Sequence, residues 1–343
     1  MATTSIRDVA ARAGVSVGTV SNVLNHSDKV SPTSVARVVA AIEELGYVRN
    51  DAARQLRAGR STTIGLVVLD VRNPFFTDVA RGAEDEAAQH SMSVILGNSD
   101  ESSVREAGYL DLFDEQRVHG VLISPFGDVA PRLRRLRSRG TAAVLVDRVS
   151  EDGSFSSVAV DDIQGGDLAT EHLLGTGRRR IAFVGGPFQI RQVSDRHEGA
   201  RRAVARHPGA TLEKIETHAL TVLEGRRIGE TLVARSAEER PDAVFAANDL
   251  VAMGVLQALN MSGGNFVPDQ IALVGYDDID FASAAVVPLS SVRQPSQLIG
   301  ATAVQILLEE AEDPTLEPRQ VVFQPELVVR ESTRPAALAR AIT

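Results

Sequence analysis

Ser5-Ile6-Arg7-Asp8-Val9-Ala10-Ala11-Arg12-Ala13-Gly14-Val15-Ser16-Val17-Gly18-Thr19-Val20-Ser21-Asn22-Val23-Leu24-Asn25 carries two helical patterns separated by one glycine. Ser5 followed three residues later by Asp8 predicts an N-cap with a carboxylate beside the free amides, and Ile6, Val9, Ala10 and Ala13 fall on one face. Gly14 ends that helix. Ser16 caps a second, which keeps Val20, Val23 and Leu24 on one side while Gly18, Ser21, Asn22 and Asn25 face elsewhere. Two short helices around a tight turn make a helix-turn-helix. Ser31-Pro32 supplies a cap and a first-turn proline for a third helix, with Val35, Val38, Val39, Ile42 and Leu45 as its stripe and Gly46 as its stop.

Working outward, Asn50 to Gly59 has a cap and good helix formers but spans under three turns, too short to be stable alone in water. Such a segment is expected to order only when docked. Through Arg60, eight Lys or Arg stand against five acids, a balance of +3 that leaves −12 for the remainder of a chain whose net charge is −9. A basic head on an acidic body suits a DNA-reading module joined to a domain that does not touch DNA.

From Thr63 onward, apolar runs alternate with helical patterns. Ile64 to Leu69, Val94 to Leu96, Gly120 to Ile123 and Ala143 to Val146 form one series; Ile181 to Val184, a weaker strand near His218-Ala219-Leu220, Ala243 to Ala246 and Ile271 to Val274 form a second. Strands without in/out alternation are buried on both faces, which predicts parallel sheet and two doubly wound lobes. At 343 residues the chain exceeds one core, and 43% hydrophobic with 24% charged is an ordinary globular composition. No apolar run approaches the roughly 20 residues of a membrane span, and Met1 to Arg12 has no signal-peptide core, so a cytoplasmic protein with no membrane partner is expected. The absence of cysteine removes disulfides, thiol nucleophiles and thiolate metal sites.

Open parallel sheets bind ligands beyond the carboxyl ends of their strands. The residues there are Asp70 to Asn73, Asn98, Ser124, Asp147-Arg148, Asn248-Asp249 and Asp277-Asp278, with Pro74-Phe75-Phe76 as an apolar wall. Ring faces beside carboxylates, amides and a guanidinium suit a polyhydroxylated ring. Taken singly, Asp147, Asn248 or Asp277 reads first as a strand-end cap or turn former, while Arg148 and Arg196 could be surface ion pairs and Phe75-Phe76 ordinary core. Their coincidence at one end of parallel strands favours a site.

The head run, together with Leu45-Gly46-Tyr47 and Ala53-Arg54-Gln55-Leu56, closely resembles the lactose-repressor (LacI) family. The resemblance implies a helix-turn-helix DNA-binding domain over residues 1–48, a hinge helix over 49–60, and a sensor over 61–335 of the periplasmic-binding-protein-like type I fold, followed by a tail over 336–343. The sensor divides into an N-lobe of about 61–160 plus 293–322 and a C-lobe of about 161–292 plus 323–335. Val17, Gly18 and Asn22 would read bases; Thr19, Ser21 and Asn25 would chiefly fix the DNA backbone, with the helix-capping Ser16 beside them in the DNA-binding set; and Leu56, flanked by Ala53, Arg54 and Arg57, would wedge into the minor groove. In the sensor, Asn73-Pro74-Phe75-Phe76, Asp147-Arg148, Ser194-Asp195-Arg196, Ala247-Asn248-Asp249, Gly275-Tyr276-Asp277 and Gln294-Pro295 resemble the ligand stations, most similar to those of ribose-type binders. Asn73, Asp147, Arg148, Arg196, Asn248, Asp277 and Gln294 would hold hydroxyls, Phe75 and Phe76 would pack on the ring, and Asp70 would stand beside them. Leu220 occupies a position where many relatives carry an aromatic, and Ser124 is shorter than the amide often found there.

The expected function is a ligand-controlled transcriptional regulator, a repressor of carbohydrate-uptake or catabolic genes. It would be a homodimer on a pseudo-palindromic double-stranded DNA operator, with a ribose-like monosaccharide as effector and no cofactor or metal. No phosphate-cradling G-x-G-x-x-G, P-loop, G-x-S-x-G or H-E-x-x-H motif stands in the chain, and its histidines are scattered, so no enzyme is expected. The alternative is a sugar-binding protein of transport type, against which the DNA-reading head speaks.

Overall fold

The computed structural model describes residues 4–25, 27–47, 61–264 and 266–334. The backbone divides into two compact units, Met1–Ser61 and Thr62–Thr343.

In the first unit α1 (Ile6–Ala13), α2 (Val17–Asn25) and α3 (Pro32–Leu45) close around Val9, Ala10, Ala13, Val20, Val23, Val38 and Ala41. The Asp8 carboxylate accepts from the Ser5 amide at 2.8 Å and the Ser5 hydroxyl at 2.7 Å, which satisfies the start of α1. Gly14 and Gly46 end α1 and α3 at φ 62° and 58°, where glycine alone is unstrained. Val39, assigned to the buried stripe, is instead 42% exposed: Val38 takes the inward position, and adjacent helical residues point about 100° apart. The proposed hinge and the tail lie outside the described residues.

The second unit contains β1 (Thr63–Val68), α4 (Pro74–Gln89), β2 (Ser93–Asn98), α5 (Ser103–Gln116), β3 (Gly120–Ile123), α6 (Ala130–Ser138), β4 (Ala142–Val146) and β5 (Ser156–Val160). Next come α7 (Asp162–Gly175), β6 (Arg180–Gly185), α8 (Arg191–Ala205), β7 (Thr211–Glu216), α9 (Val222–Ala234), β8 (Ala243–Ala246) and α10 (Asp249–Met261). The last part holds β9 (Ala272–Asp277), α11 (Asp280–Ala284), β10 (Ser290–Arg293), α12 (Ser296–Glu312), β11 (Gln320–Phe323) and β12 (Glu326–Val328). Two six-stranded sheets result, ordered β11-β5-β4-β3-β1-β2 and β12-β10-β9-β8-β6-β7. Every pairing is parallel except β10 with β12. The chain crosses from the first sheet to the second after β5, returns after β10 with α12 packed on the first, and crosses again between β11 and β12.

The strand expected near His218-Ala219-Leu220 is a turn; the strand at that place is β7, Thr211–Glu216. As the edge of its sheet β7 buries little and reads Thr-Leu-Glu-Lys-Ile-Glu, without the apolar run that marks a central strand. β5 and β10 also escape an apolar scan, because Ser156, Ser157, Ser290 and Ser291 lie fully inside. Their hydroxyls are paired: Ser156 with Glu310, Ser157 with Gln320, Ser290 with Thr333 at 2.8 Å and Ser291 with Asp249 at 2.6 Å.

Candidate functional site

On the head, Ser16 Oγ accepts from the Thr19 amide at 3.0 Å and starts α2. That leaves Val17, at 41% exposure, Gly18 and Asn22 on the open surface of its first turns, with Thr19 and Ser21 half-buried. A Cβ on Gly18 would touch only Ser16 Oγ, at 3.6 Å, so the residue leaves open surface beside Val17. Asn25 closes α2. Ala53, Arg54, Leu56 and Arg57 lie outside the described residues.

In the second unit the polar strand ends meet. Asn73 caps α4 through Oδ1, which accepts from the Phe75 amide at 3.1 Å, and spends its other end on Asp277: Nδ2 donates to Oδ2 at 2.8 Å. Gln294 Nε2 donates to the other Asp277 oxygen at 2.8 Å. Arg196, on α8, donates through Nε to Asp162 at 2.8 Å and through Nη1 to the Ala247 carbonyl at 2.7 Å. Its guanidinium lies 3.6 Å from the Tyr276 ring centroid and 3.7 Å from Asp277. Asn248 caps α10 through the Val251 amide at 2.9 Å, and its Nδ2 donates to the Leu220 carbonyl at 3.4 Å. Asp147 accepts from Gln192 Nε2 at 2.8 Å, so Gln192 joins the second lobe to the first.

Several expected members sit differently. Asp70 is engaged by Arg72, whose Nε donates to both its oxygens at 2.9 and 3.0 Å, and Arg72 also reaches Asp100 at 2.8 Å. Arg148 keeps a quarter of its side chain exposed and lies 3.6 Å from Glu151. Phe75 and Phe76 meet edge to face, centroids 5.0 Å apart, and are buried in the core of their lobe. Leu220 packs half-buried against the apolar core. Among the described residues, Ser124 Oγ, Asp147 Oδ1 and Gln294 Oε1 are buried with no hydrogen-bond partner in the protein.

Burial pushes the Asp147 carboxyl well above the usual carboxylate range, Asp162 and Asp277 add to the rise, and Arg196 opposes it. Burial raises Asp277 too, against Arg196, Asn73 and Gln294, which stabilise its charge. Burial works against the Arg196 charge, yet the carboxylates of Asp162, Asp277 and Asp147 hold its pKa above the ordinary arginine value. The arrangement is a buried set of charges joined by hydrogen bonds, able to orient a ligand rich in hydroxyls. Sequence reasoning missed Gln192 and Asp162. The signal for the first was helical spacing: Gln192 and Arg196 are four residues apart and share a face of α8.

Residues 5–50 match the family described as bacterial regulatory proteins, lacI family, and residues 170–333 match the periplasmic binding protein-like domain. The repressor PurR of Vibrio campbellii is 34% identical, the alignment covering 96% of this chain and 98% of that one. The chain belongs to the LacI family. The ribose operon repressor of Escherichia coli K12 is likewise 34% identical to this LacI-family chain, over 96% of it and 99% of the relative. Among solved structures, a Lac repressor dimer bound to operator and the anti-inducer ONPF superposes with a TM-score of 0.81 at 27% identity, covering 97% of this chain and 100% of that one. A LacI-family regulator from Enterococcus faecium with bound ribose gives 0.72 at 28% identity, covering 80% and 99%. This LacI-family protein is a ligand-controlled DNA-binding repressor, with the head as the DNA-reading module and the two lobes as the sensor. Its relatives are transcriptional repressors, and the repressors match through the head as well as the sensor, which sets aside a transport-type binding protein. Among the described residues no helix is long and apolar enough to cross a membrane.

Proposed function

We propose that the sensor cleft binds a monosaccharide of the pentose class, ribose-like, and that its occupancy sets the affinity of the head for operator DNA. The observation that carries this is the mixture at the strand ends: Ser124 Oγ, Asp147 Oδ1 and Gln294 Oε1 lack protein partners, while Asn73, Asp277 and Arg196 are already oriented by one another. A sugar hydroxyl both donates and accepts, so a ring of hydroxyls serves a carboxylate, an amide oxygen and a hydroxyl without bringing a charge. Phe75 and Phe76, core side chains of the first lobe at the start of the helix that Asn73 caps, back this set as the apolar wall for the sugar's C–H face. The ribose operon repressors among the relatives and the ribose-bound neighbour support a pentose.

The regulator works in the cytoplasm as a homodimer on a near-palindromic operator, because two heads related by a two-fold axis read two half-sites. Val17, Gly18 and Asn22 read bases, Ser16, Thr19, Ser21 and Asn25 hold the backbone, and Leu56 with Ala53, Arg54 and Arg57 forms the operator-centre contact. Its chemistry ends at binding; it is no enzyme. A thermal-shift series on the full chain tests the effector, since a ligand that binds only the native state raises the melting point. D-ribose is expected to raise it, hexoses and purine bases to do less, and Asp277→Ala to abolish the rise while leaving operator binding by the ligand-free protein intact. A purine base that stabilises where ribose does not would overturn the pentose.

A further inference from the structure

Beside the buried polar strand ends, the first lobe holds a hollow. A cavity of about 560 Å³ opens where β3 and β4 end, lined by Phe126, Val129, Leu145, Phe155 and Arg148, with Gln189 reaching it from the second lobe. Its volume falls within the roughly 300–1,000 Å³ that ligand pockets span. Chain connectivity ties it to those strand ends: Ser124 and Asp147, two of the sugar-holding positions, are followed directly by Pro125-Phe126 and Arg148-Val149, all of which line the hollow.

The loop forming one wall is held from below. Glu106, 3% exposed, accepts from the Phe126 amide at 2.6 Å and the Gly127 amide at 3.2 Å, so the wall is fixed by a buried carboxylate. The charges around the mouth compensate one another. Arg134 lies 3.1 Å from Asp152 and Arg148 3.6 Å from Glu151, and Asp128 adds a further carboxylate to the lining. A phosphate placed there would meet two engaged arginines and three acids. An uncharged ring meets the partly exposed Phe126 and Val149 over a buried floor of Val129, Leu133, Leu145 and Phe155, with Gln189 for a polar edge.

We propose that this cavity is a second compartment of the effector site and takes an uncharged ring substituent joined to the pentose, so that the preferred effector is a ring-bearing pentoside. The inference rests on the pentose assignment above. Arg148 then lies between the two compartments and touches both parts of the ligand.

Titration calorimetry on the full chain with D-ribose, phenyl β-D-ribofuranoside and 5-O-benzyl-D-ribose tests it, the two derivatives placing an uncharged ring at either end of the sugar. One derivative should bind at least about tenfold more tightly than ribose, whereas ribose 5-phosphate should gain nothing. Val149→Trp fills the mouth from a position that is 42% exposed, so the fold tolerates it. It should erase the gain and leave ribose affinity within about twofold. If ribose binds and neither derivative exceeds it, or if the gain survives Val149→Trp, the second compartment is refuted and the pentose reading stands. If none of these compounds binds, the pentose reading fails and the compartment with it.

Discussion

Asn73 and Asn248 each hold two positions at once. Each caps a helix with its side-chain oxygen and sends its amide nitrogen across the strand ends, to Asp277 and to the Leu220 carbonyl respectively. Cap and ligand station, which compete as readings of a lone asparagine, are therefore compatible, because the two ends of a carboxamide are separate groups. Asp70 shows the opposite outcome. Its position after β1 suggested the ligand set, but Arg72, two residues on, engages its carboxylate, a short-range pairing that position alone does not reveal. Nearby, Asp100 and Glu101 both adopt left-handed backbone, at φ 51° and 54°, and Glu101 is pushed up to about 7 by burial and then by Asp70. A carboxyl whose folded pKa is raised stabilises fully below its unfolded value and loses that contribution as pH rises through the folded one. Urea denaturation should therefore show wild type losing stability between about pH 4.5 and about pH 7 relative to Glu101→Gln. Parallel pH profiles for the two proteins would reject this origin.

Three helix pairs, α4 with α12, α7 with α8 and α9 with α10, pack through reciprocal glycines. A Cβ on Gly82 would lie 2.0 Å from the Gln297 carbonyl and one on Gly300 2.0 Å from that of Val79; Gly166 faces Arg196 and Gly199 faces Ile163 at 2.0 Å, and Gly225 and Gly254 face Val251 and Val222 at 2.1 and 2.0 Å. Backbone thus touches backbone, and no side chain fits between. The α7–α8 pair carries Asp162 and Arg196, so its close approach also sets their 2.8 Å bond. Gly199→Ala must part these helices, and overpacking of that kind costs typically about 1–3 kcal/mol, read as a lower urea midpoint at unchanged m-value. The substitution should also weaken ribose binding, because Arg196 moves with α8; an unchanged midpoint would disprove the contact. Element type was legible wherever a helix or central strand had a strong apolar pattern. It was not for β7, whose edge position needs little burial, nor for β5 and β10, whose buried serines are paid for by partners far away in sequence.

At the scale of the molecule, a head of +3 and a remainder of −12 divide the work: the first meets phosphates, and the second is kept off them. Operator affinity should fall steeply with salt, log affinity dropping linearly with log salt as phosphate contacts release counterions. Linkage adds a stricter expectation. Whatever factor the sugar applies to operator affinity, a saturating operator duplex must apply to sugar affinity. Fluorescence anisotropy and calorimetry measure the two factors independently, and unequal values would mean that sugar and DNA do not act through one equilibrium. The amino-acid sequence by itself determined the helix-turn-helix, the two α/β lobes and the family, because caps, glycine stops and apolar periods act over a few residues and need no distant partner. Only the tertiary structure decided which polar strand ends join, that Gln192 reaches Asp147 while Asp70 turns to Arg72, and that a hollow stands beside those strand ends. Those depend on how residues far apart in the chain are packed, and neither a carboxylate's partner nor the space beside it is written in its neighbours along the chain.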